Sequence, residues 1–141
     1  SVMCWRDWAH AVKAAQAGHD VVMTPTTHCY LDQYQSKDVA QEPPAIGGFS
    51  SLENVYGFEP VPPELSAAQA GHIRGVQGNV WTEYIPSAKQ VEYMAYPRAC
   101  ALAEVGWSPV GERNYPDFLT RLEKLIQHLK ILGVNFREPA R

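Results

Sequence analysis

The sequence predicts an α/β fold in which helices cover a parallel sheet. Three short apolar runs, at residues 1–5, 20–25 and 73–81, have the length and composition of strands, and helical segments separate and follow them. This alternation is typical of a parallel sheet. Three parallel strands leave two open edges, whereas parallel sheets are normally buried on both faces. We therefore expect the 141 residues to form one part of a larger α/β architecture.

The first strand–helix unit carries local start and stop signals. Residues 1–5 predict a short buried strand. The alanine-rich segment that follows predicts a helix, with Asp7 as its N-cap and Gly18 at its C-terminal end. The second strand, "DVVMTP", is ended by Pro25, which cannot donate a backbone hydrogen bond.

The middle of the chain has few regular signals. Residues 26–63 are predicted to be mostly irregular, with one helical turn at "SSLENVY" in which Ser50 and Glu53 form a capping box. Ser66 then caps a second short helix, "LSAAQAGHIRG". The third strand, "IRGVQGNVW", follows directly and extends to residue 81.

Two longer helices are predicted after the third strand. Ser87 opens the first, in which Pro97 either kinks or divides the helix. Asn114 caps the second, Pro116 suits its first turn and Gly133 its exit. Its apolar residues recur at steps of three and four and predict one buried stripe of Phe118, Leu122, Leu125, Ile126, Leu129 and Leu132.

Composition excludes several classes of protein. The chain is 45% hydrophobic and 19% charged, and no apolar run approaches the roughly 20 residues that span a bilayer. Twelve basic and 15 acidic residues give a net charge of −3 without a basic run, which argues against a nucleic-acid partner. Cys4, Cys29 and Cys100 are widely spaced, so we predict buried thiols and neither a disulfide framework nor a metal site.

The chain begins with "SVMCW", which lacks an initiator Met and has no signal-peptide pattern. Its apolar residues are typical of the middle of a strand. We therefore expect that further sequence precedes Ser1 in the natural protein.

An aromatic residue is followed two positions later by an acid at or beyond each strand end. The pairs are Trp5 and Asp7, Tyr30 and Asp32, and Trp81 and Glu83. Ligands of parallel α/β folds bind beyond the carboxyl ends of the strands. Aromatic faces stack on the apolar faces of sugar rings, and carboxylates accept hydrogen bonds from paired hydroxyls. These residue types therefore predict a carbohydrate site.

Each of these residues also has a structural interpretation. A tryptophan at a strand end usually packs against its neighbours, and Asp7 is better explained as the helix cap. Asp32 could close a turn, and Glu83 could pair with Arg98 or Arg74. The carbohydrate interpretation depends on the residues acting together at one edge of the sheet.

Four segments are distinctive in combination, namely "CWRDW", "HDVVMTPTTHCYLDQYQ", "GVQGNVWTEYI" and "EYMAYPRACALAEVGWS". They resemble glycoside hydrolase family 20, the β-N-acetylhexosaminidases, and the bacterial branch most of all, and the resemblance extends over essentially the whole chain. It implies that residues 1–141 are the carboxyl-terminal part, about the last three strand–helix units, of a (β/α)8 TIM barrel. It also implies export of the full-length form to the periplasm, the cell surface or the medium.

The family removes terminal N-acetylglucosamine or N-acetylgalactosamine from glycans with retention, using the substrate's acetamido group as nucleophile. By resemblance, Trp5 and Trp81 would wall the acetamido pocket, and Trp81 would also back the sugar ring. Tyr30 would donate a hydrogen bond to the acetamido oxygen, and Asp32 and Glu83 would hold the distal hydroxyls. No cofactor and no metal are implied.

One family feature is missing from the 141 residues. The family's acid–base pair is an Asp–Glu dipeptide in a "GGDE"-like motif after the fourth strand, and no "DE" occurs here. The resemblance assigns neither Asp32 nor Glu83 to that role. The pair would belong to the upstream half of the same barrel, and this chain alone would be inactive.

Three hypotheses follow from the sequence. The first is the carboxyl-terminal portion of a β-N-acetylhexosaminidase, with an N-acetylhexosamine-terminated glycan and the upstream barrel half as partners. The second is a non-catalytic carbohydrate-binding domain. The third is a structural fragment that pairs its exposed edges with another copy of itself as a homo-oligomer.

Overall fold

The sheet contains three short parallel strands in the order β1-β2-β3. The computed structural model describes residues 1–139, and its strands are β1 (Val2–Cys4), β2 (Val21–Met23) and β3 (Ile73–Val76). Val21 pairs with Val2 on one side and with Ile73 on the other. The predicted α/β class with a parallel sheet is confirmed. Among the described residues, no strand pairs with the outer edge of β1 or of β3.

Seven helices connect and cover the strands. They are α1 (Trp8–Gln16), α2 (Thr26–Cys29), α3 (Leu52–Tyr56), α4 (Ala67–Ala70), α5 (Ala88–Ala95), α6 (Arg98–Trp107) and α7 (Tyr115–Ile131). Two 3₁₀ turns lie at Val39–Gln41 and Val110–Glu112. Helix α1 packs on β1 and β2, while α6 packs on β3 and α3. Of these helices, none is long and apolar enough to cross a bilayer.

The predicted helix starts are confirmed by their hydrogen bonds. The caps Asp7, Ser66, Ser87 and Asn114 each accept a hydrogen bond from the backbone N–H three residues further on. Pro97 divides the predicted long helix into α5 and α6, because a proline inside a helix removes a backbone donor.

The segment 26–63 is more regular than predicted. It contains α2 and a 3₁₀ turn as well as α3, and the predicted capping box of Ser50 and Glu53 is wrong. The cap is Ser51, whose hydroxyl accepts from the N–H of Asn54. Ser50 is fully buried and its backbone N–H donates to the Tyr34 carbonyl, so tertiary contacts hold it one position before the cap.

The third strand ends at Val76 and not at residue 81 as predicted. The register of β3 against β2 shifts by one residue between Ile73 and Gly75, and Gly75 has a φ of +152°. L side chains rarely adopt that conformation, so a glycine suits this bulge. Trp81 and Glu83 consequently lie in a loop, and strand alternation does not set their directions.

Burial at the two ends of the chain also differs from the prediction. In β1 only Cys4 is buried. Val2 and Met3 are exposed, since no described strand covers the outer edge of β1. In α7 the buried stripe consists of Phe118, Leu122, Ile126 and Leu129. Leu125 and Leu132 lie on one edge of that stripe and are 38% and 74% exposed.

The three cysteines are free thiols, as predicted. Cys4 and Cys29 are buried, and Cys100 is half-buried. Burial raises the pKa of Cys29 to about 12 and that of Cys100 to about 11, so both behave as small apolar side chains.

Candidate functional site

An open cavity of about 530 Å³ lies beyond the carboxyl ends of β2 and β3. Four of the five residues predicted for the site line it, namely Tyr30, Asp32, Trp81 and Glu83. The cavity is also lined by Thr26, Gln33, Ile46, Gly47 and Gly48. The aromatic–acid pairs that follow the second and third strands therefore meet in one place.

Trp5, the fifth predicted residue, is not among the lining residues. It is 43% exposed, and the Arg6 guanidinium lies 4.7 Å from its ring centroid. Its backbone is nevertheless next to the cavity, because its carbonyl accepts hydrogen bonds from both the N–H and the hydroxyl of Thr26 at 2.9 Å.

A pair of backbone hydrogen bonds joins the two loops of the cavity. Asn79 donates its N–H to the Cys29 carbonyl at 2.8 Å, and its own carbonyl accepts from the Leu31 N–H at 2.7 Å. Tyr30 and Asn79 thus form an isolated parallel bridge beyond the end of the sheet. The bridge aligns the segment that carries Asp32 with the segment that carries Trp81.

The Asn79 side chain fixes that bridge to the sheet. Its amide donates to the Thr24 hydroxyl at 2.6 Å, and its amide oxygen accepts from Gln77 at 2.7 Å. Asn79 and Thr24 are both buried, so the hydrogen bond between them is shielded from competing water. The loop that carries Trp81 and Glu83 is therefore tied to the end of β2.

Glycines allow close approach at two points around the cavity. A Cβ at Gly78 would lie 2.9 Å from the Leu102 side chain and 3.2 Å from the Leu31 side chain, so a larger residue would require these leucines to move. Gly48 has a φ of +71°, and a Cβ there would lie 2.7 Å from the Gln33 side chain. The segment around Gly47 thus closes over Gln33.

Asp32 is the most unusual group of the cavity. Its residue is 3% exposed, yet its Oδ1 has no hydrogen-bond partner among the described residues. Burial raises the pKa of Asp32, and the negative charge of Glu83 raises it further, while the charge of Arg98 lowers it. A buried carboxylate oxygen without a partner is costly in free energy, so it is suited to accept from a ligand.

The arginine partners considered for Glu83 lie elsewhere. The Arg98 guanidinium is fully buried and donates only to backbone carbonyls. The Nε of Arg74 lies 4.0 Å from Oδ2 of Asp20, the residue directly before β2. Within residues 1–139, Glu83 forms no ion pair and lines the cavity with its charge uncompensated.

The cavity combines an apolar face with hydrogen-bonding groups. Trp81 is 47% exposed, so one face of its indole is available for stacking. Tyr30 supplies a hydroxyl, and two carboxylates supply acceptors. In the described part of the chain, no cluster of three or more His, Cys, Asp or Glu side chains could hold a metal ion. Such a surface can bind a ring that has apolar faces and hydroxyl groups.

Sequence reasoning did not identify five of the lining residues, nor Asn79. Thr26, Gln33 and Ile46 are ordinary loop residues that carry no distinctive local signal. The "GG" doublet at 47–48 was a usable signal, because paired glycines mark a backbone that L side chains disfavour. Asn79 stands inside the segment "GNVWTEY", but its partners Cys29 and Thr24 are distant in sequence.

Known proteins resemble this chain over nearly its whole length. The family model "Glycosyl hydrolase family 20, catalytic domain" matches residues 1–110. A beta-hexosaminidase of Porphyromonas gingivalis is 41% identical over 140 residues, which is 99% of this chain and 18% of that relative. The chain spans about a fifth of the length of the curated relatives that it matches.

Solved structures agree with the family match. One is an exo-β-N-acetylglucosaminidase from Vibrio harveyi in complex with N-acetylglucosamine. Its sequence is 32% identical and its TM-score is 0.84, and the alignment covers 99% of this chain and 22% of the Vibrio protein. Another is a Streptomyces plicatus N-acetyl-β-hexosaminidase in complex with thio-NAglucal, at 28% identity, a TM-score of 0.84 and coverage of 98% and 29%. These neighbours are (β/α)8 barrel enzymes, so the fold is that of a partial barrel, as predicted.

Proposed function

The chain belongs to glycoside hydrolase family 20, and from this premise we propose that it supplies the sugar-binding wall of a retaining exo-β-N-acetylhexosaminidase. The observation that carries the proposal is the buried, unpartnered Oδ1 of Asp32 in a cavity that also holds Trp81 and Glu83. The substrate would be a glycan that ends in N-acetylglucosamine or N-acetylgalactosamine.

The four predicted residues that line the cavity, and Trp5 beside it, have roles in this proposal that suit their chemistry. Trp81 stacks on the sugar ring, and Trp81 and Trp5 together wall the acetamido pocket. Tyr30 donates a hydrogen bond to the acetamido oxygen, which orients that oxygen for attack on the anomeric carbon. Asp32 and Glu83 accept hydrogen bonds from the distal hydroxyls, which satisfies the free Oδ1 of Asp32.

The proposed reaction is substrate-assisted. The acetamido oxygen attacks C1 while the glycosidic C1–O bond breaks and the general acid protonates the departing oxygen, which forms a cyclic oxazolinium intermediate. Water, deprotonated by the same group, then attacks C1 and opens the ring with net retention. The general acid and the acetamido-orienting acid would be an adjacent Asp–Glu pair. No "DE" dipeptide occurs in residues 1–141, so in this proposal the pair comes from another part of the same barrel.

The open edge of β3 supports this arrangement. A cavity of about 630 Å³ lies between β3 and α6, and it is lined by Gly75 and Val76 from the strand and by Leu102, Gly106 and Trp107 from the helix. Trp107 is 90% exposed there. We propose that another strand–helix unit of the same barrel pairs with this edge and covers these apolar side chains.

The proposal is tested with a chromogenic β-N-acetylglucosaminide. We expect turnover by the full-length protein, no turnover by residues 1–141 alone, and a large loss of activity for Trp81→Ala in the full-length protein. Turnover by residues 1–141 alone would contradict the assignment of the acid–base pair to another segment.

A non-catalytic carbohydrate-binding domain is the second candidate, and the exposed Trp81 indole is what favours it. It predicts that the full-length protein binds N-acetylglucosamine in calorimetry but hydrolyses no substrate. Self-association through the edges of β1 and β3 predicts instead that the sedimentation coefficient of this chain rises with its concentration.

A further inference from the structure

Among residues 1–139, Arg98 is the largest fully buried side chain, and it donates four hydrogen bonds without contacting a carboxylate of that part of the chain. Its Nη1 donates to the carbonyls of Gln33 at 3.1 Å and Ser50 at 2.9 Å. Its Nη2 donates to the carbonyls of Leu31 at 2.6 Å and Met94 at 2.7 Å. A buried guanidinium normally pairs with an acid, so an all-carbonyl environment calls for an explanation.

Three of the four acceptors belong to segments that form or flank the candidate site. Leu31 and Gln33 are the residues on either side of Asp32, so the guanidinium holds the backbone at both flanks of that carboxylate. Ser50 follows the Gly47–Gly48 segment, which lines the same cavity. The fourth acceptor, in α5, anchors the guanidinium to the helical layer.

The positive charge of Arg98 is placed to act on Asp32 without occupying its oxygens. All of the guanidinium's observed bonds go to neutral carbonyls, and Oδ1 of Asp32 stays free. Burial lowers the pKa of Arg98 to about 9, and the charges of Glu42 and Asp32 act in the opposite direction. Arg98 is therefore charged at neutral pH, and its charge favours the ionised form of Asp32.

We propose that Arg98 is a positioning residue, which fixes the backbone on both sides of Asp32 and keeps its carboxylate free for sugar hydroxyls. This inference rests on the proposed function, in which Asp32 accepts a hydrogen bond from a distal hydroxyl of the sugar. Lysine cannot replace Arg98, because a single ammonium lacks the planar fork that reaches four carbonyls in different directions. Arg98 itself touches no substrate in this scheme.

A double-mutant cycle in the full-length protein tests the coupling. The four proteins are wild type, Arg98→Lys, Asp32→Asn and the double variant, and the readout is the affinity for N-acetylglucosamine by calorimetry. We expect Arg98→Lys to weaken binding about tenfold when Asp32 is present and to have little further effect in the Asp32→Asn background. Equal losses in both backgrounds would overturn the proposal, because they would show a general structural role.

Analogues of the sugar give a second readout. The 4-deoxy and 6-deoxy forms of N-acetylglucosamine lack the distal hydroxyls one at a time. Arg98→Lys should lose affinity for the parent sugar but not for the analogue that lacks the hydroxyl held by Asp32. Arg121→Lys is the matched control, since Arg121 also makes several hydrogen bonds but lies on the outer helices. It should leave both affinities unchanged.

A measurement without any change at Arg98 keeps the proposal testable if Arg98→Lys does not fold. The guanidinium Nη resonances of Arg98 in ¹⁵N NMR should shift in Asp32→Asn, because the facing charge is lost, and should not shift in Asp38→Asn. Unchanged resonances in Asp32→Asn would overturn the coupling. A wild-type protein that neither binds nor hydrolyses the sugar would refute the proposed function. The NMR measurement would still test the coupling between Arg98 and Asp32, because it does not depend on sugar binding.

Discussion

Two carboxylates with little exposure, Asp32 and Glu104, line different cavities and differ in how their hydrogen-bonding capacity is satisfied. Glu104, on α6, accepts from the Tyr56 hydroxyl at 2.7 Å and from two nitrogens of Arg121 at 2.7 Å each. Asp32, at the cavity, leaves Oδ1 without a partner among the described residues. The hydrogen bonds to Arg121 and Tyr56 lower the pKa of Glu104, whereas burial raises the pKa of Asp32.

Under the proposed function, this difference distinguishes a structural carboxylate from one that binds the sugar. Glu104 links three helices, because Tyr56 belongs to α3 and Arg121 to α7. Both carboxylate oxygens of Glu104 already accept hydrogen bonds, so neither is free to bind a ligand. Asp32 is held at an energetic cost that the charge of Arg98 offsets in part and that a bound hydroxyl would offset further. The outer helices should therefore determine stability, and the loops at the strand ends should determine sugar binding.

The largest effect should come from the packed stripe of α7. Leu122→Ala should lower the free energy of unfolding by about 3 kcal/mol, because it leaves a cavity under a fully buried side chain. Leu125→Ala, on the exposed edge of the same helix, should cost less than about 1 kcal/mol. Urea denaturation measures both. A change in sugar affinity for folded Leu122→Ala would break the separation between the two regions.

The next effect is the loss of the unpartnered carboxylate. Asp32→Asn should weaken binding of N-acetylglucosamine about 100-fold, because the hydrogen bonds to an ionised acceptor are lost. It should leave stability unchanged or slightly increased, since an unpaired buried charge is removed. Asp38→Asn, an exposed acid of the same loop, is the control. Calorimetry and thermal unfolding of both variants are compared, and a marked destabilisation by Asp32→Asn would count against a ligand role.

The satisfied carboxylate should behave in the opposite way. Glu104→Gln should cost about 1 kcal/mol of stability, a value reduced because Arg121 is half exposed to solvent. Sugar affinity should not change. Glu123→Gln, an exposed acid on α7, should have no measurable effect on either quantity. An affinity loss in Glu104→Gln would mean that the two regions are energetically coupled.

The smallest effect should appear on mild acidification. Because the pKa of Asp32 is raised, its carboxylate is protonated at a higher pH than an ordinary aspartate, and sugar affinity should fall about twofold where half of it is protonated. The pKa of Glu104 is shifted in the opposite direction. The stabilisation from Glu104 is present above the unfolded-state pKa and is lost only as the pH falls through the lowered folded-state pKa. Carboxyl ¹³C titrations should show Asp32 protonating at a higher pH than an ordinary aspartate and Glu104 at a lower pH than an ordinary glutamate.

Much of the fold follows from short-range signals that the sequence displays directly. Asp7, Ser66, Ser87 and Asn114 cap helices as predicted, because each cap depends on a hydrogen bond only three residues away. The capping box at Ser50 is an instructive exception. Long-range bonds to Tyr34 and Arg98 bury Ser50 and leave the cap to the next serine.

The site was predictable in part for a similar reason. Tyr30, Asp32, Trp81 and Glu83 were identified because parallel strands bring their carboxyl ends to one edge, and the structure does bring these four together. Trp5 was identified by the same rule but does not line the cavity. The rule specifies an edge of the sheet and does not specify how far each loop folds over it.

By itself, the sequence determined the α/β alternation, the helix caps and which aromatic and acidic residues follow each strand, since hydrophobic period and capping act over a few residues. Only the tertiary structure decided that the third strand ends at Val76, that Asn79 joins two loops and that Arg98 holds the backbone around Asp32. Those contacts join residues up to 67 positions apart. Their geometry depends on the packing of the whole sheet and its helices, which no local pattern encodes.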